Sequence, residues 1–441
     1  MKKRVLSLLL CCIFVVTLLM GCSSKGTGNT NTPGSEGNKD NGSNGKGEKV
    51  TLEWETTATS EKIPVYQELI DKFTKETGIK VELVTPGNDY ETVMKTRMAS
   101  GDLPDIWETH GWSVARYSEY LMPLNDQKWF SRIDESILPV ISDKEDNIYC
   151  LPLTIGVNTI SYNKDVFKAA GVDASAIRTW KDFDDACAKI KASGVTPIFL
   201  GNKDSSTIAQ LCEDIPPAFL TTQSVEDNQK EALKNGKFDF AKYWTPISEM
   251  VDSWMQKGYF NKDVLTSDND AGCQALAKGE CGMIFGGGNN ILFARTYNPD
   301  ANLGYLACPG VNEDDVSFIS MGEGTCVGMW KDTTYPEESK KFLEYLSQVE
   351  NCEKVATSSG DIPGLKDVKN EDAYITQAFR ETQTMYKGDI EYVPLFDREY
   401  LPSGMWDDLG VGMTKLIMEP GKAVKDSVEY LQDAYNNKMI K

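Results

Sequence analysis

The stretch TISYNKDVFKAAGV, residues 159–172, joins two kinds of secondary structure near the middle of the chain. The segment that leads into it, CLPLTIGVNTISYN, is apolar and β-branched, as in a buried strand. Beyond it, we expect Asp165 to cap a short helix over residues 166–170 and Gly171 to end that helix. The junction is Tyr-Asn-Lys, residues 162–164. The pattern therefore predicts a strand-to-helix corner that carries an aromatic ring, an amide and a cation.

Upstream of this corner, strand patterns alternate with helix patterns. Strands are predicted in VTLEWET, IKVELVT and PDIWETH, and helices in IPVYQELIDKFTKETG and DYETVMKTRMASG. This βαβαβ order predicts a parallel sheet with helices on its faces. Ligands of such sheets bind beyond the carboxyl ends of the strands. Downstream of residue 163 the pattern is mostly helical, with a strand-like stretch in LGYLACPG.

The charge balance indicates which kinds of molecule the protein is not expected to bind. The 441 residues include 46 lysines and arginines against 66 acidic residues, which gives a formal net charge of −20. Such an excess of carboxylates repels phosphate backbones and anionic membrane surfaces, so the sequence predicts that nucleic acid is not a partner.

The first residues are typical of an export signal. Residues 1–4 are cationic, and residues 5–20 form an apolar run of 16 residues, shorter than the roughly 18 to 20 that span a bilayer. The run ends in LMGC, which resembles the bacterial lipobox, so Cys22 is expected to carry the lipid, including palmitate. A plain signal peptide or an uncleaved anchor is the alternative. We predict a signal peptide over 1–21 and a flexible tether over 22–49, which holds the protein on the outer face of the cell membrane.

The cysteines of the folded body show no CxxC spacing. Several lie in apolar runs, where a thiol behaves as a small hydrophobic group. We expect mainly buried free thiols, with disulfides as the alternative. They are Cys150, Cys187, Cys212, Cys273, Cys281, Cys308, Cys326 and Cys352.

Several motifs occur in a characteristic order along the mature chain. They are ASGDLPDIW, YLMPLND, TISYNKDVFKAAGV, TWKDF, LAKGECGMIFGGG, YPEESKKFLEYLS and IPGLKDV. In this order and spacing they resemble the family 1 extracellular solute-binding proteins of ABC importers, relatives of the maltodextrin-binding protein.

The resemblance implies a two-lobed α/β fold of the type II periplasmic-binding-protein class. Mixed sheets flanked by helices would form each lobe, hinge crossings would join them, and a solute would bind between them. It also implies a carbohydrate ligand, an ABC transporter permease as partner, a monomer, and neither cofactor nor metal. The expected boundaries are 50–162 with 311–350 for the first lobe, and 163–310 with 351–441 for the second.

The resemblance also gives the Tyr-Asn-Lys corner a role. In this family the corner lies where the chain leaves the first lobe for the second, so Tyr162 is expected to pack beside the cleft. The alternative is an ordinary turn with Tyr162 in the core and Lys164 in solvent, and for Lys164 that alternative is favoured.

Three residues after the third predicted strand are candidates for sugar binding. A pyranose presents an apolar face and a rim of hydroxyls, so it needs a flat aromatic platform flanked by donors and acceptors. Trp112, Thr109 and His110 supply such groups. The alternatives are a tryptophan that covers the lobe surface and a structural histidine.

Further candidates lie elsewhere in the chain. The resemblance assigns Trp406 a stacking role, with core packing as the alternative. It also indicates the loop GGGNN, with Gly287 and Asn289, where bare backbone can approach a ligand closely. The relatives often carry a tryptophan in that loop, which is absent here. Weaker candidates, each equally consistent with a solvated loop residue, are Glu55, Asn158 and Glu323.

Four functions are consistent with the sequence. The favoured one is a tethered receptor that delivers a carbohydrate, as an oligosaccharide, to an ABC importer. The alternatives are a receptor for another solute, a secreted carbohydrate-active enzyme, and a scaffolding lipoprotein. One histidine excludes multi-histidine metal sites such as HExxH, and no GxSxG occurs. The sequence therefore predicts a binding protein without catalytic residues.

Overall fold

The computed structural model describes residues 50–58, 62–203, 205–359, 361–369 and 373–439. The predicted signal peptide, the tether and the lipidation site Cys22 lie outside the described residues. Within them, none of the helices combines the length and apolar character that crossing a bilayer requires.

Strands and helices alternate through the described part of the chain. The strands are β1 (Thr51–Glu55), β2 (Lys80–Val84), β3 (Ile106–Glu108), β4 (Cys150–Pro152), β5 (Thr154–Asn158), β6 (Ile160–Asn163), β7 (Thr196–Phe199), β8 (Cys281–Ile284), β9 (Leu303–Leu306), β10 (Ser317–Glu323), β11 (Cys326–Met329), β12 (Ile362–Pro363) and β13 (Ile390–Pro394). The helices are α1 (Ile63–Thr77), α2 (Tyr90–Ser100), α3 (Leu138–Ile141), α4 (Lys164–Ala169), α5 (Trp180–Ala192), α6 (Ser205–Ile208), α7 (Leu211–Asp214), α8 (Pro216–Leu220), α9 (Lys230–Lys234), α10 (Phe240–Tyr243), α11 (Thr245–Gln256), α12 (Asn269–Lys278), α13 (Asn289–Tyr297), α14 (Pro336–Leu346), α15 (Val349–Ser359), α16 (Tyr374–Met385), α17 (Phe396–Tyr400), α18 (Met405–Met418) and α19 (Val424–Met439).

The strands form three sheets, with the orders β2-β1-β3-β11-β4, β12-β5-β10-β13 and β7-β8-β6-β9. In the first sheet β1 pairs in parallel with both β2 and β3, which confirms the predicted βαβαβ arrangement. Strand β11 then pairs antiparallel with both β3 and β4, so this sheet is mixed.

Helix α1 shows how the sequence pattern produces the packing. Tyr66, Leu69, Ile70 and Phe73 recur at helical spacing, and all four are buried. Each such side chain contributes about 1.5 to 3 kcal/mol when it leaves water. The helix ends at Gly78, whose φ of 76° is the left-handed conformation that glycine adopts without strain.

The segment 150–163, predicted as one buried strand, forms three. Strand β4 belongs to the first sheet, β5 to the second and β6 to the third. The prediction of a single strand was wrong because an apolar run indicates burial without indicating which sheet buries it. The chain therefore crosses all three sheets within fourteen residues, immediately before the Tyr-Asn-Lys corner.

The helix after the corner is capped by Asn163. Its side-chain oxygen accepts the N–H groups of Asp165 and Val166 at 3.0 Å each, and its Nδ2 donates to the carbonyl of Leu276 at 2.8 Å. The prediction that Asp165 is the cap was wrong, because α4 already begins at Lys164. Gly171, with a φ of 66°, follows the end of the helix as expected.

The other two residues of the corner also have partners. The ring of Tyr162 packs against Phe167 with centroids 4.6 Å apart and is nearly buried. Lys164 is paired with Glu381 rather than simply solvated, which corrects the favoured expectation for it. The corner therefore joins α4 to its surroundings through packing, capping and an ion pair.

All eight cysteines of the described residues are buried free thiols. Burial raises the pKa of thiols such as Cys187 and Cys281 because it penalises the thiolate. The interpretation of these cysteines as small hydrophobic groups is confirmed.

Candidate functional site

A cavity of about 420 Å³ brings together side chains from widely separated parts of the chain. One wall comes from α2 and the loop after β3, and another part is the end of β5. The remainder comes from α7, the residue before it and the segment 395–407. The lining residues are Glu91, His110, Trp112, Arg116, Asn158, Gln210, Glu213, Leu395, Asp397, Arg398, Pro402, Ser403, Gly404, Trp406 and Asp407. Aromatic rings, amides, carboxylates and guanidinium groups therefore share one hollow.

Trp112 lies in the loop after β3 and is only 6% exposed. The guanidinium carbon of Arg116 is 3.8 Å from the centre of its ring, and that of Arg398 is 5.5 Å away. Both distances are within the range of cation–π attraction. Its Nε1 is buried without a hydrogen-bond partner in the described part of the chain. A ligand that stacks on the ring of Trp112 therefore has to share it with the two guanidinium groups.

His110 connects the two walls of the cavity. Its Nδ1 lies 3.3 Å from a carboxylate oxygen of Glu91, and its backbone carbonyl accepts a hydrogen bond from Arg398. Burial acts to raise the pKa of Glu91, but the close contact with His110 and the neighbouring charges outweigh it and leave that pKa below its ordinary value. His110 has a φ of 51°, an uncommon conformation for a residue with a side chain.

Glu323 holds the loop that carries Trp112. Its carboxylate accepts hydrogen bonds from the hydroxyls of Thr109 and Ser113, from the N–H of Gly111 at 3.2 Å and from the N–H of Ser113 at 3.0 Å. Thr109 and Glu323 are both buried, and neither is among the residues that line the cavity. The structure therefore places these two predicted residues behind the loop.

Glu55 is buried at the end of β1 and does not line the cavity. One of its oxygens is 2.7 Å from the guanidinium of Arg97. Burial raises the pKa of Glu55, although Arg97 opposes that effect. Its place at the end of a strand did not show whether the side chain of Glu55 is directed into the protein or into the cavity.

Asn158, at the end of β5, lines the cavity from the crossing strands. Its Nδ2 donates to Asp214 at 2.9 Å, and Asp214 also accepts the N–H of Gly286 at 3.0 Å. A Cβ atom on the neighbouring Gly287 would lie 3.4 Å from the side-chain oxygen of Asn158, so this loop packs closely against it. Asn289 begins α13, is exposed and is not among the cavity's lining residues.

Two consecutive carboxylates of α7, Glu213 and Asp214, are buried, and Glu213 lines the cavity. Glu213 accepts the N–H groups of Phe396 at 2.7 Å and Asp397 at 2.9 Å, and so fixes the start of α17. Burial, followed by the charge of Asp397, raises the pKa of Glu213 well above its ordinary value. Burial also raises the pKa of Asp214 to about 7.

Trp406 lies in the first turn of α18, half-buried and packed partly against the main core. Gly404 precedes it with a φ of 84°, a conformation that allows the chain to turn into the helix. Trp406 lines the same cavity as Trp112, so the structure brings the two predicted tryptophans to one place.

Sequence reasoning missed many of the lining residues. Arg116 and Arg398 were missed because charged residues in such positions are most often solvated. Glu213 was missed because its acidic side chain lies within a short helix that the pattern did not separate. Gln210, whose side-chain oxygen is buried without a partner among the described residues, gave no signal at all.

One group of side chains has the composition of a metal site. The ligand atoms of Cys150, Glu323 and Cys326 lie within 4.8 Å of one another. The group does not fit a resident ion, because burial raises the pKa of both thiols and Glu323 already accepts four hydrogen bonds.

Several known proteins are similar to this chain. The melibiose/raffinose/stachyose-binding protein MelE of Bacillus subtilis is 29% identical over 366 residues, which cover 82% of this chain and 84% of that protein. The crystal structure of the binding protein MsmE from Bacillus subtilis, in an open conformation, has a TM-score of 0.82 and 29% identity, and covers 88% of this chain and 98% of that one. A sugar transporter protein from Bacillus licheniformis in complex with stachyose has a TM-score of 0.74 and 30% identity, with 88% and 100% covered. These structures confirm the predicted two-lobed α/β fold, while the lobe boundaries stay a prediction.

The family itself is identified by a match that covers more than half of the chain. Residues 58–351 match the bacterial extracellular solute-binding proteins. Proteins of this kind are receptors, so the interpretation as a binding protein rather than an enzyme is confirmed, as is the resemblance read from the motifs. The chain belongs to the bacterial extracellular solute-binding protein family.

Proposed function

We propose that the protein is an extracellular receptor that binds a carbohydrate in the cavity lined by Trp112 and Trp406 and delivers it to an ABC importer. The observation that supports this most is the presence of both indole rings, two amides and several carboxylates in one cavity. A sugar has an apolar face for an aromatic ring and a rim of hydroxyls for fixed donors and acceptors.

The roles of the lining residues follow from their chemistry. Trp406 stacks on the apolar face of a sugar ring, and Trp112 lines the cavity beside it. The amides of Asn158 and Gln210 bind hydroxyls. The names of the similar proteins mention melibiose, raffinose and stachyose, so an oligosaccharide of that class is the proposed ligand.

The other predicted residues support the site without touching the sugar. Glu323 and Thr109 hold the loop of Trp112, and Gly287 allows close packing beside Asn158. Glu55 anchors the end of β1 through Arg97. Asn289 is exposed at the start of α13, outside the cavity, so this proposal gives it no contact with the sugar.

Closure of the lobes is driven by a ligand that contacts both of them. A ligand shifts a conformational equilibrium only by its difference in affinity for the two states. Arg398 already contacts the carbonyl of His110, and Arg116 lies 3.5 Å from the hydroxyl of Ser403. A sugar in the cavity adds contacts to both of these walls at once.

The anchor and the oligomeric state are part of the same proposal. We place a lipid on Cys22 and expect a monomer that swings on the tether over residues 22–49 at the outer face of the membrane. Cys22→Ser is expected to release the protein from the membrane fraction, whereas retention of the variant in that fraction would contradict lipid anchoring at this residue.

The test is titration calorimetry of the purified protein with melibiose, raffinose and stachyose. Trp406→Ala is expected to weaken binding by about 1 to 3 kcal/mol, the scale of a lost aromatic contact with its buried area. Phe293→Ala is the matched control, because Phe293 is 49% exposed and does not line the cavity. Equal affinities of the Trp406 variant and the wild type would remove Trp406 from the site, and chemical cleavage of the sugar would contradict a receptor.

A further inference from the structure

A second hollow adjoins the cavity. It has a volume of about 340 Å³ and shares Glu91, Trp112, Arg116 and Ser403 with the cavity. Its remaining lining residues are Lys95, Met98, Ala99, Tyr117 and Tyr120. We call this hollow the outer groove. Because Trp112 and Arg116 line both spaces, they form the partition between them.

The outer groove runs along helix α2. Glu91, Lys95 and Met98 are spaced by four and three residues, so they lie on one face of that helix. With a rise of 1.5 Å per residue, the face from Glu91 to Met98 is roughly 10 Å long. The groove therefore leads away from the cavity over the length of a short saccharide.

The opposite wall of the outer groove is a small aromatic cluster. Trp112 and Tyr117 are buried together, with ring centroids 6.1 Å apart and planes at 85°, in a hydrophobic cluster separate from the main core. Met98 and Tyr120 cover this cluster and are partly exposed. Because the side chains of Met98 and Tyr120 pack against this buried cluster, the wall is held in place.

The two spaces differ in chemistry. The cavity is lined by carboxylates, guanidinium groups and amides, which hold a ligand in one orientation. The outer groove is lined mainly by aromatic and aliphatic side chains, with Lys95 as the cation that it adds. Such a surface can stack against the apolar face of a sugar ring and forms few hydrogen bonds with its hydroxyls.

We propose that the outer groove is a second carbohydrate subsite, which binds the distal units of an oligosaccharide whose other end lies in the cavity. The inference rests on the proposed function. The cavity alone is at the small end of the range for ligand sites, roughly 300 to 1,000 Å³, so a longer oligosaccharide extends beyond it. The groove is the space that adjoins the cavity past Trp112.

The test compares sugars of increasing length. Melibiose, raffinose and stachyose, and in parallel maltose, maltotriose and maltotetraose, are titrated into the wild type and into Tyr120→Ala. The expected result is an unchanged dissociation constant for the disaccharide and a loss of about tenfold for the tetrasaccharide, the effect of one aromatic contact. Ala99→Trp fills the groove from an exposed position on α2 and is expected to give the same selective loss. Phe293→Ala is again the control.

The outcomes separate the two proposals. Losses that are equal for short and long sugars, or no loss in either variant, would overturn the second subsite while the receptor function stands. A wild type that binds none of these sugars would overturn the proposed carbohydrate function and the subsite with it.

Discussion

The buried carboxyl of Asp214 is expected to make the stability of the protein depend on pH. Its two oxygens accept hydrogen bonds from the side chain of Asn158 and the N–H of Gly286, and its side chain is fully buried. Burial raises its pKa to about 7 from an ordinary value of 3.8. Asp214→Asn removes this ionisation while it keeps the size of the side chain.

The sign follows from proton linkage. The folded protein binds a proton at Asp214 more tightly than the unfolded chain does, so this group stabilises the fold at low pH. The stabilisation is fully present below about pH 4 and is lost as the pH rises through about 7. At about 1.36 kcal/mol per pH unit, the free energy of unfolding of the wild type falls by roughly 2.5 kcal/mol between pH 5 and pH 8 from this group.

The assay is urea unfolding followed by tryptophan fluorescence at both pH values. The fall in the free energy of unfolding from pH 5 to pH 8 should be smaller in Asp214→Asn than in the wild type by about that amount. The loss of an acceptor for Gly286 destabilises the variant at both pH values, so it does not affect this difference. Asp433→Asn, at an exposed position on α19, controls for the loss of one negative charge. Equal falls in the wild type and Asp214→Asn would refute the reasoning.

Two further variants test the elements around the cavity. Asn163→Ala removes the cap of α4 and should lower the free energy of unfolding by about 1 kcal/mol without a change in sugar affinity; an unchanged urea midpoint would contradict the capping role. Glu323→Ala leaves the donors of Thr109, Gly111 and Ser113 without their acceptor and should cost about 2 to 4 kcal/mol of stability. Because the same loop carries Trp112, that variant should also bind sugar more weakly in calorimetry, and full affinity would show that Glu323 does not position the ring.

The first sheet could be predicted from the sequence because the patterns that define its strands and helices span only a few neighbouring residues. Helix α1 buries residues at helical spacing, and glycines at 78 and 101 end α1 and α2 in the left-handed conformation. The segment 150–163 could not be predicted in the same way. Its three strands are mostly buried, and they differ in their partners, which are β11 for β4, β10 and β12 for β5, and β8 and β9 for β6. Those partners lie more than a hundred residues away in sequence.

Only some of the residues that line the cavity could be predicted from the sequence. Trp112, His110 and Asn158 line it, as expected for polar and aromatic residues at strand ends. Glu55 ends β1 and Thr109 follows β3, but both are buried, where they contact Arg97 and Glu323. Position along the sequence identifies the edge of a sheet, whereas the choice between cavity and interior depends on the packing around it.

The position of Asn158 connects the crossing strands to ligand capture. It is the lining residue that comes from segment 150–163, and it is held by Asp214 from α7, which in turn holds the glycine loop at Gly286. Trp112 lies in the loop after β3 of the first sheet, and Trp406 lies on α18. If the two walls move about Asn158, as we propose, a sugar held by Asn158 keeps that contact while its contacts with the indoles change. Since only contacts that differ between two states shift their equilibrium, this proposal predicts that Trp406→Ala weakens closure more than Asn158→Ala does.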